Sequence, residues 1–537
     1  MVSRPTGILA VLFVLILSLG QSFMNLPYRL LFSFLGFVFT LVSLGSLSEP
    51  TEAGEAKLAA GTKLVAPQIP APITGAAREL NARLSKDVDP ANNAVVHLVQ
   101  LFGTDVFPEP VRATSLKMLG IQTLDSMAPR IIYSEPFLRA KAEGDPQQLA
   151  KLAMTFQSEF NQAGSKPWKK AELPLLAEFL SQNEKQLDQL VAIANLPSYY
   201  APILSTAEPP SLMSASFAVE YRLPYLAKCL ATRALCKLAE EDFTGAATDL
   251  LAIHKLAYLL ASGSPLDVSG AKAHWVDSHA FSAEQAILQS GQLSADQAQS
   301  YLASLSKLPR LPAATRAADI GERYIIQQEV ELMRDDDAAL GFFFDWDPAE
   351  RKAEIAKLRD AKINWDLAIQ RANEVQDKTV AVLAIKDREM QMEAIVQLDE
   401  ASDKWLDELE DDEITMAEAI LKDRVGASRW FGESTALALR TNAWQRVHTD
   451  HRGHVRRDFT IVGLALVAYH QKHGTYPAKL EDLTPEILPS LPNDTHSGKS
   501  FAYEQLPAGG VRLISWGANL IPNQGDFRDD DVYLDLK

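Results

Sequence analysis

Only two cysteines, Cys229 and Cys236, occur in this chain of 537 residues, so no disulfide framework organises it. They lie seven apart in a stretch that predicts a helix, about 10 Å from one another along one face and beyond disulfide reach. Two buried thiols are expected. Standard catalytic signatures are missing as well: no Gly-x-Ser-x-Gly, no His-Glu-x-x-His, no Gly-x-x-x-x-Gly-Lys and no Gly-x-Gly-x-x-Gly behind a strand. Gly426-Ala427-Ser428-Arg429-Trp430 lacks the second glycine of a nucleophile turn. An enzyme is not thereby excluded, because triads are defined by geometry. Positive charge is also in deficit, with 52 basic against 69 acidic residues and a net charge of −17. That balance repels phosphate backbones, no Lys/Arg stripe offsets it, and nucleic acid is not an expected partner.

What is present reads as a globular chain, 47% hydrophobic and 23% charged, long enough for two or three domains. Residues 1–48 hold two apolar runs, Gly7 to Leu19 and Leu30 to Leu47, preceded by Arg4 and Arg29 and followed by Glu49, Glu52 and Glu55. The positive-inside bias places the body outside the cytoplasm. Read from Met24, the second run resembles a secretory signal peptide with small-residue exit sites, and it is also long enough for an uncleaved anchor. The expectation is a protein of the cell envelope, anchored in the inner membrane facing the periplasm or released into the periplasm. Residues 49–75, rich in Ala, Pro, Gly and Thr, read as a flexible linker.

From 76 to 440 apolar residues recur at helical spacing and alternating stretches are missing, which predicts a large helical body, a bundle or an irregular array of helical hairpins. One hairpin is legible over 226–261: a helix from Leu226 to Ala239, a turn at Glu240-Glu241-Asp242-Phe243, and a helix from Thr244 to Ala261. Its small residues resemble a tetratricopeptide unit, although no second copy accompanies it and a solenoid needs about three. Residues 348–424 predict long charged helices, opening at Asp347-Pro348-Ala349-Glu350. The acidic run Asp407 to Glu413 is a solvated junction or a cation or partner site. Residues 441–537 predict a separate α+β module. Its helix, Val455 to His473, is stopped by Gly474 and Pro477, and three antiparallel strands follow at 501–504, 511–516 and 532–536.

That module carries a resemblance. Leu466-Val467-Ala468-Tyr469, His473-Gly474-Thr475-Tyr476-Pro477, Leu480-Glu481-Asp482-Leu483, Ser515-Trp516-Gly517-Ala518-Asn519 and Asp529-Asp530-Asp531-Val532 resemble the soluble part of the major pseudopilins of type II secretion. The resemblance implies a helix leading into a three-stranded sheet and a calcium-binding acidic loop. Asp526, Asp529, Asp530 and Asp531 would supply the hard oxygen ligands; a solvated acidic turn is the alternative. Asp89-Pro90-Ala91-Asn92-Asn93-Ala94, Leu101-Phe102-Gly103 and Arg233-Ala234-Leu235 extend a second resemblance, to large exported helical proteins of planctomycete-type bacteria. It implies an architecture and no reaction.

Two histidine clusters complete the candidates. His274 and Asp277 stand one turn apart and form either an oriented base or an interior pair, with His279 on another face. His448, His451 and His454 with Asp450 have metal-compatible spacing, but Gly453 is expected to interrupt the helix. The leading expectation is a membrane-associated, non-enzymatic scaffold binding protein partners in the envelope. The alternatives are an envelope hydrolase with its site in the helical body and an accessory subunit of a type II secretion-like apparatus.

Overall fold

A computed structural model describes residues 62–537 apart from 71, 72, 74, 126–129, 344–349, 411–422, 441, 508 and 518–530. The expected export segment 1–48 and most of the linker lie outside these residues. Among the described residues the protein is mainly helical, with a small antiparallel sheet at its C-terminal end. The first helices are short: α1 (Gly75–Ser85), α2 (Ala94–Phe102), α3 (Glu109–Met118), α4 (Ser134–Ala142), α5 (Pro146–Gln162), α6 (Pro174–Gln182) and α7 (Glu184–Ile193). Then come α8 (Leu223–Ala239), α9 (Phe243–Gly263), α10 (Asp267–Gln289) and α11 (Ala295–Ser306). Next are α12 (Arg323–Asp335), α13 (Asp337–Phe343), α14 (Lys352–Asp360), α15 (Trp365–Leu383), α16 (Arg388–Glu410) and α17 (Arg424–Leu439), leading to α18 (Ala443–His473). The linker's described end is tied to the body, since β1 (Lys63–Leu64) pairs with β2 (Ile121–Thr123). Three residues of β2 carry no alternation to read; the partner segment makes them a strand.

Local chemistry starts these helices where side-chain oxygens can take the orphan amides of the first turn. Asp145 accepts from Gln147 N at 2.8 Å, with Pro146 in the first turn of α5. Ser294 and Gln297 form a capping box on α11. Asp242 accepts from Gly245 N at 2.9 Å and closes the α8–α9 turn. The hairpin stands as its pattern predicts, and both cysteines are free and buried in α8. Arg233 of α8 donates two hydrogen bonds to Asp249 of α9, at 2.9 and 2.7 Å, and a third to Asp188 of α7 at 2.8 Å. A bidentate pair of this kind fixes orientation as well as contact.

α18 begins twelve residues earlier than expected, capped by Asn442, whose side chain accepts from Gln445 N. Gly453 does not interrupt it. Gly474 ends it at φ +72°, a left-handed value that glycine adopts without strain. The three expected strands are β3 (Ala502–Gln505), β4 (Val511–Ser515) and β5 (Val532–Leu536), in the order β3-β4-β5. Val511 lies opposite Leu536 and Leu513 opposite Leu534, all four buried. On the other face Arg512 and Asp535, also opposite, form a bidentate ion pair at 2.6 and 2.8 Å.

The middle of α18 and the sheet share one continuous apolar core with residues 94–305. Packing therefore runs across the sequence boundary at 440/441. Smaller cores lie under α12, α15 and α17. Two glycines mark the closest approaches. A Cβ on Gly463 of α18 would stand 2.8 Å from both Leu288 of α10 and Leu534 of β5, and one on Gly432 of α17 would stand 2.0 Å from the carbonyl oxygen of Ala368 in α15. Backbone cannot yield as a side-chain tip does. Gly432→Ala is therefore expected to destabilise by about 1–3 kcal/mol. Gly270→Ala, a helical site with no atom within 4 Å of the added Cβ, should instead stabilise by about 0.5–1 kcal/mol. Urea unfolding of the two variants checks both signs.

Candidate functional site: a charged cleft between two parallel helices

α10 and α18 lie side by side in parallel. His274 meets Asp450 and Glu284 meets Thr460, both pairs 176 residues apart in sequence. At their N-terminal ends the two helices part around a cavity of about 140 Å³, walled also by the end of α9 and by residues 312–317. That is room for a small organic molecule rather than a single water. α10 contributes Asp267, Gly270, Ala271 and His274, and α18 contributes Arg446, Thr449 and Asp450. These follow the three- and four-residue spacing of a single helix face. Gly270, Ala271, Ala313, Ala314 and Ala317 keep the space open. A π turn over Ala317–Glu322 forms part of the wall and its continuation, an irregularity found often at functional sites. Within it Gly321 has no room for a Cβ, which would stand 2.2 Å from the carbonyl oxygen of Pro265.

The ionic groups here are held by several elements at once. Arg446 donates to Glu322 through Nη2 and keeps Nε 3.2 Å from Asp267. Glu322 also accepts from Gln376 of α15 at 2.7 Å. Asp450 accepts from the backbone N–H of Ala314 at 2.6 Å and lies 3.2 Å from His274 Nε2. The opposite edge of the imidazole lies against Gly453, where a Cβ would stand 2.6 Å from Nδ1. Gly453 is thus a seat for His274, and neither ring nitrogen is left facing open space. Burial raises the Asp267 carboxyl above the ordinary aspartate range; Arg446 opposes that, and Glu322 and Asp450 add to it. Burial also lowers Arg316, with Arg83 adding to the effect.

Below the cleft lies a second charged group, closed to solvent. His254 of α9 bridges Asp277 and Glu284 of α10, at 2.7 Å through Nδ1 and 3.0 Å through Nε2. Tyr301 of α11 donates to Glu284 at 2.6 Å and Thr460 of α18 at 2.9 Å. Burial alone would depress His254, but Asp277 and Glu284 together outweigh it and hold the imidazole at about 10. Asp277 is correspondingly lowered, through its charge and hydrogen bond with His254, against the opposing effect of burial. The adjoining void is only about 10 Å³, enough for one water at most.

The two histidine clusters are rearranged relative to their sequence spacing. His274 and Asp277 do not pair: His274 goes to Asp450, a member of the other cluster, and Asp277 to His254. His279 is pushed down to about 4 by burial, with Lys228 adding to it. His448 stacks on Trp444, and His448 and His451 both approach His496, with ring centroids 5.2 and 6.0 Å away. Burial and then Arg388 push His451 down to about 4. Among the described residues no group of three or more His, Cys, Asp or Glu is placed to hold a metal ion. Asp526, Asp529 and Asp530 of the expected calcium loop lie outside the described residues. Asp531 is described and accepts from the Tyr533 hydroxyl at 2.7 Å. Asp267, Arg316 and Arg446 were not singled out from sequence. Each is one charge among many, and only folding assembles them.

No protein family, curated protein or solved structure matches the chain. No helix among the described residues is long and apolar enough to cross a membrane.

The His254 group makes a signed prediction. An imidazole raised from about 6.5 in the unfolded chain to about 10 in the fold contributes fully below the first value. That contribution is lost as pH rises through the second. Urea stability should therefore fall between about pH 6.5 and 10. His254→Gln should flatten that slope and cost about 3–5 kcal/mol near neutrality, because two buried carboxylates lose their cation. An unchanged slope in the variant would remove His254 as its source.

Proposed function

We propose that this protein is an exported, membrane-tethered scaffold of the cell envelope that binds protein partners through the exposed face of α10 and the segment before α8. The N-terminal apolar runs support the export and the tether. One structural observation carries the rest: an aromatic patch left in solvent on a helical platform. Trp275 of α10 is 52% exposed and Tyr221 41% exposed, with the Lys272 ammonium 3.8 Å from the Tyr221 ring centroid and 5.4 Å from that of Trp275. Trp and Tyr side chains are among the groups that dominate protein interfaces when buried by a partner. The resemblance of residues 441–537 to pseudopilin soluble domains fits a role in envelope assembly.

The tagged full-length protein, cross-linked in its native membrane and recovered in gentle detergent, should bring down a reproducible envelope partner. The double variant Tyr221→Ala, Trp275→Ala should reduce that recovery at least about tenfold, the loss expected of a hot spot. Recovery of the bait alone would sink the scaffold reading.

One observation favours a second reading, an envelope hydrolase. Ser264, on the cleft wall, is 2.7 Å from the Ser269 hydroxyl, which donates to Glu220 at 2.7 Å. With the Ser269 proton so used, Ser264 donates inward and turns its lone pairs outward. Burial raises the Glu220 carboxyl to about 7, while Ser269 and Lys272 pull against the rise, and a carboxylate at that value is poised as a base. Labelling by a fluorophosphonate probe, lost in Ser264→Ala, would support this reading; no labelling would dismiss it.

A further inference from the structure

We propose that the cleft between α10 and α18 is a binding site for a small zwitterion of the α-amino-acid class, with its ammonium on Asp267 and its carboxylate on Arg316. This goes beyond the scaffold reading and does not depend on it.

The charges that line this cavity are incompletely matched. The Asp267 carboxylate has one ion-pair partner among the described residues, Arg446, whose guanidinium is shared with Glu322; His274 adds a weaker electrostatic pull. Asp267 nevertheless keeps 40% of its side chain open to solvent within the concave wall. On the wall of the same cavity Arg316 donates only to the carbonyl oxygen of Ala261, at 3.1 Å, and has no ion pair among the described residues. Of its electrostatic neighbours, Arg83 is of like sign, and Tyr258 opposes it only in part. Behind both, Arg446 is 3% exposed, lines the cavity, and leaves Nη1 without a hydrogen-bond partner. α10 also starts at this wall with no side-chain cap on its first amides.

A simple anion entering here would meet Asp267 and Asp450, and a simple cation would meet Arg316. A dipolar molecule satisfies both ends, and each end rejects the molecule that lacks its complement. The small residues along the wall leave about 140 Å³ for it. Asp450, already engaged by His274 and Ala314, shapes the site without competing for the ligand.

The test uses the full-length protein in detergent and an equimolar mixture of free α-amino acids at about 10 mM. Binding stabilises by mass action and should raise the melting midpoint by about 2 °C or more for a chain of this size. The matching N-acetyl amino acids, which lack the ammonium, and the amino acid amides, which lack the carboxylate, should leave it unchanged. Asp267→Asn and Arg316→Gln should each abolish the shift. Gly270→Leu, which fills the cavity and leaves every charge in place, should abolish it too and guards against a charge variant that fails to fold. The proposal is overturned by no shift with the mixture, by an equal shift with either blocked series, or by a shift that persists in the variants.

Discussion

Four helices in the central part of this protein are registered to one buried cation. His254 lies between Asp277 and Glu284, and Glu284 in turn receives hydrogen bonds from Tyr301 and Thr460. The group joins α9, α10, α11 and α18 at a single point. Buried charges tolerate little displacement, since losing a partner leaves an uncompensated charge in a medium of low polarity. Sliding α18 by one turn would take the Thr460 hydrogen bond from the buried Glu284. The Thr460 contact therefore sets the register in which Asp450 meets His274 and Arg446 meets Asp267. The cleft between α10 and α18 inherits its geometry from a network some ten residues further along the same pair of helices.

Two kinds of charge use follow from that arrangement. In the closed network each ionic group is enclosed by partners, and the result is orientation. In the cleft the pairing is incomplete: Arg446 serves two carboxylates, and Arg316 serves a backbone carbonyl. Small residues on α10 and in the segment 313–317 hold that imbalance open to solvent instead of closing over it. Gly453 seats His274 and Gly463 lets Leu288 reach Leu534. The same feature, a missing Cβ on α18, thus supports the ionic cleft at one end and the apolar core at the other.

Much of the architecture was legible residue by residue. The α8–α9 hairpin follows from helical spacing and the Asp242 turn, and the C-terminal sheet from three short apolar runs with Gly509-Gly510 between the first two. Burial of both cysteines follows from their place on a helix that is apolar almost all round. The site was half legible. Sequence spacing puts His274 and Asp450 in separate clusters, because spacing reports only neighbours within a few residues. The pairing of His274 with Asp277 failed because Asp277 faces α9 while His274 faces α18. In sequence Gly453 suggests a break because an isolated helical glycine is unfavourable; here a packed ring offsets that cost. Nothing in the local sequence marks Asp267, Arg316 or Arg446, whose hydrogen-bond and ion-pair partners come from 55 to 179 residues away.

Sequence alone determined what short-range physics can determine: periodicity, caps, turns, the acidic balance and the apolar runs at the N-terminus. Those set the mainly helical class, the small terminal sheet and the expectation of export. Tertiary structure decided which charges are neighbours, and with them the cation buried at His254, the register of α18 and the unmatched charges of the cleft. The physical reason is range. A helix hydrogen bond links residues four apart, whereas a burial cost or an ion pair depends on whatever the fold brings within a few ångströms.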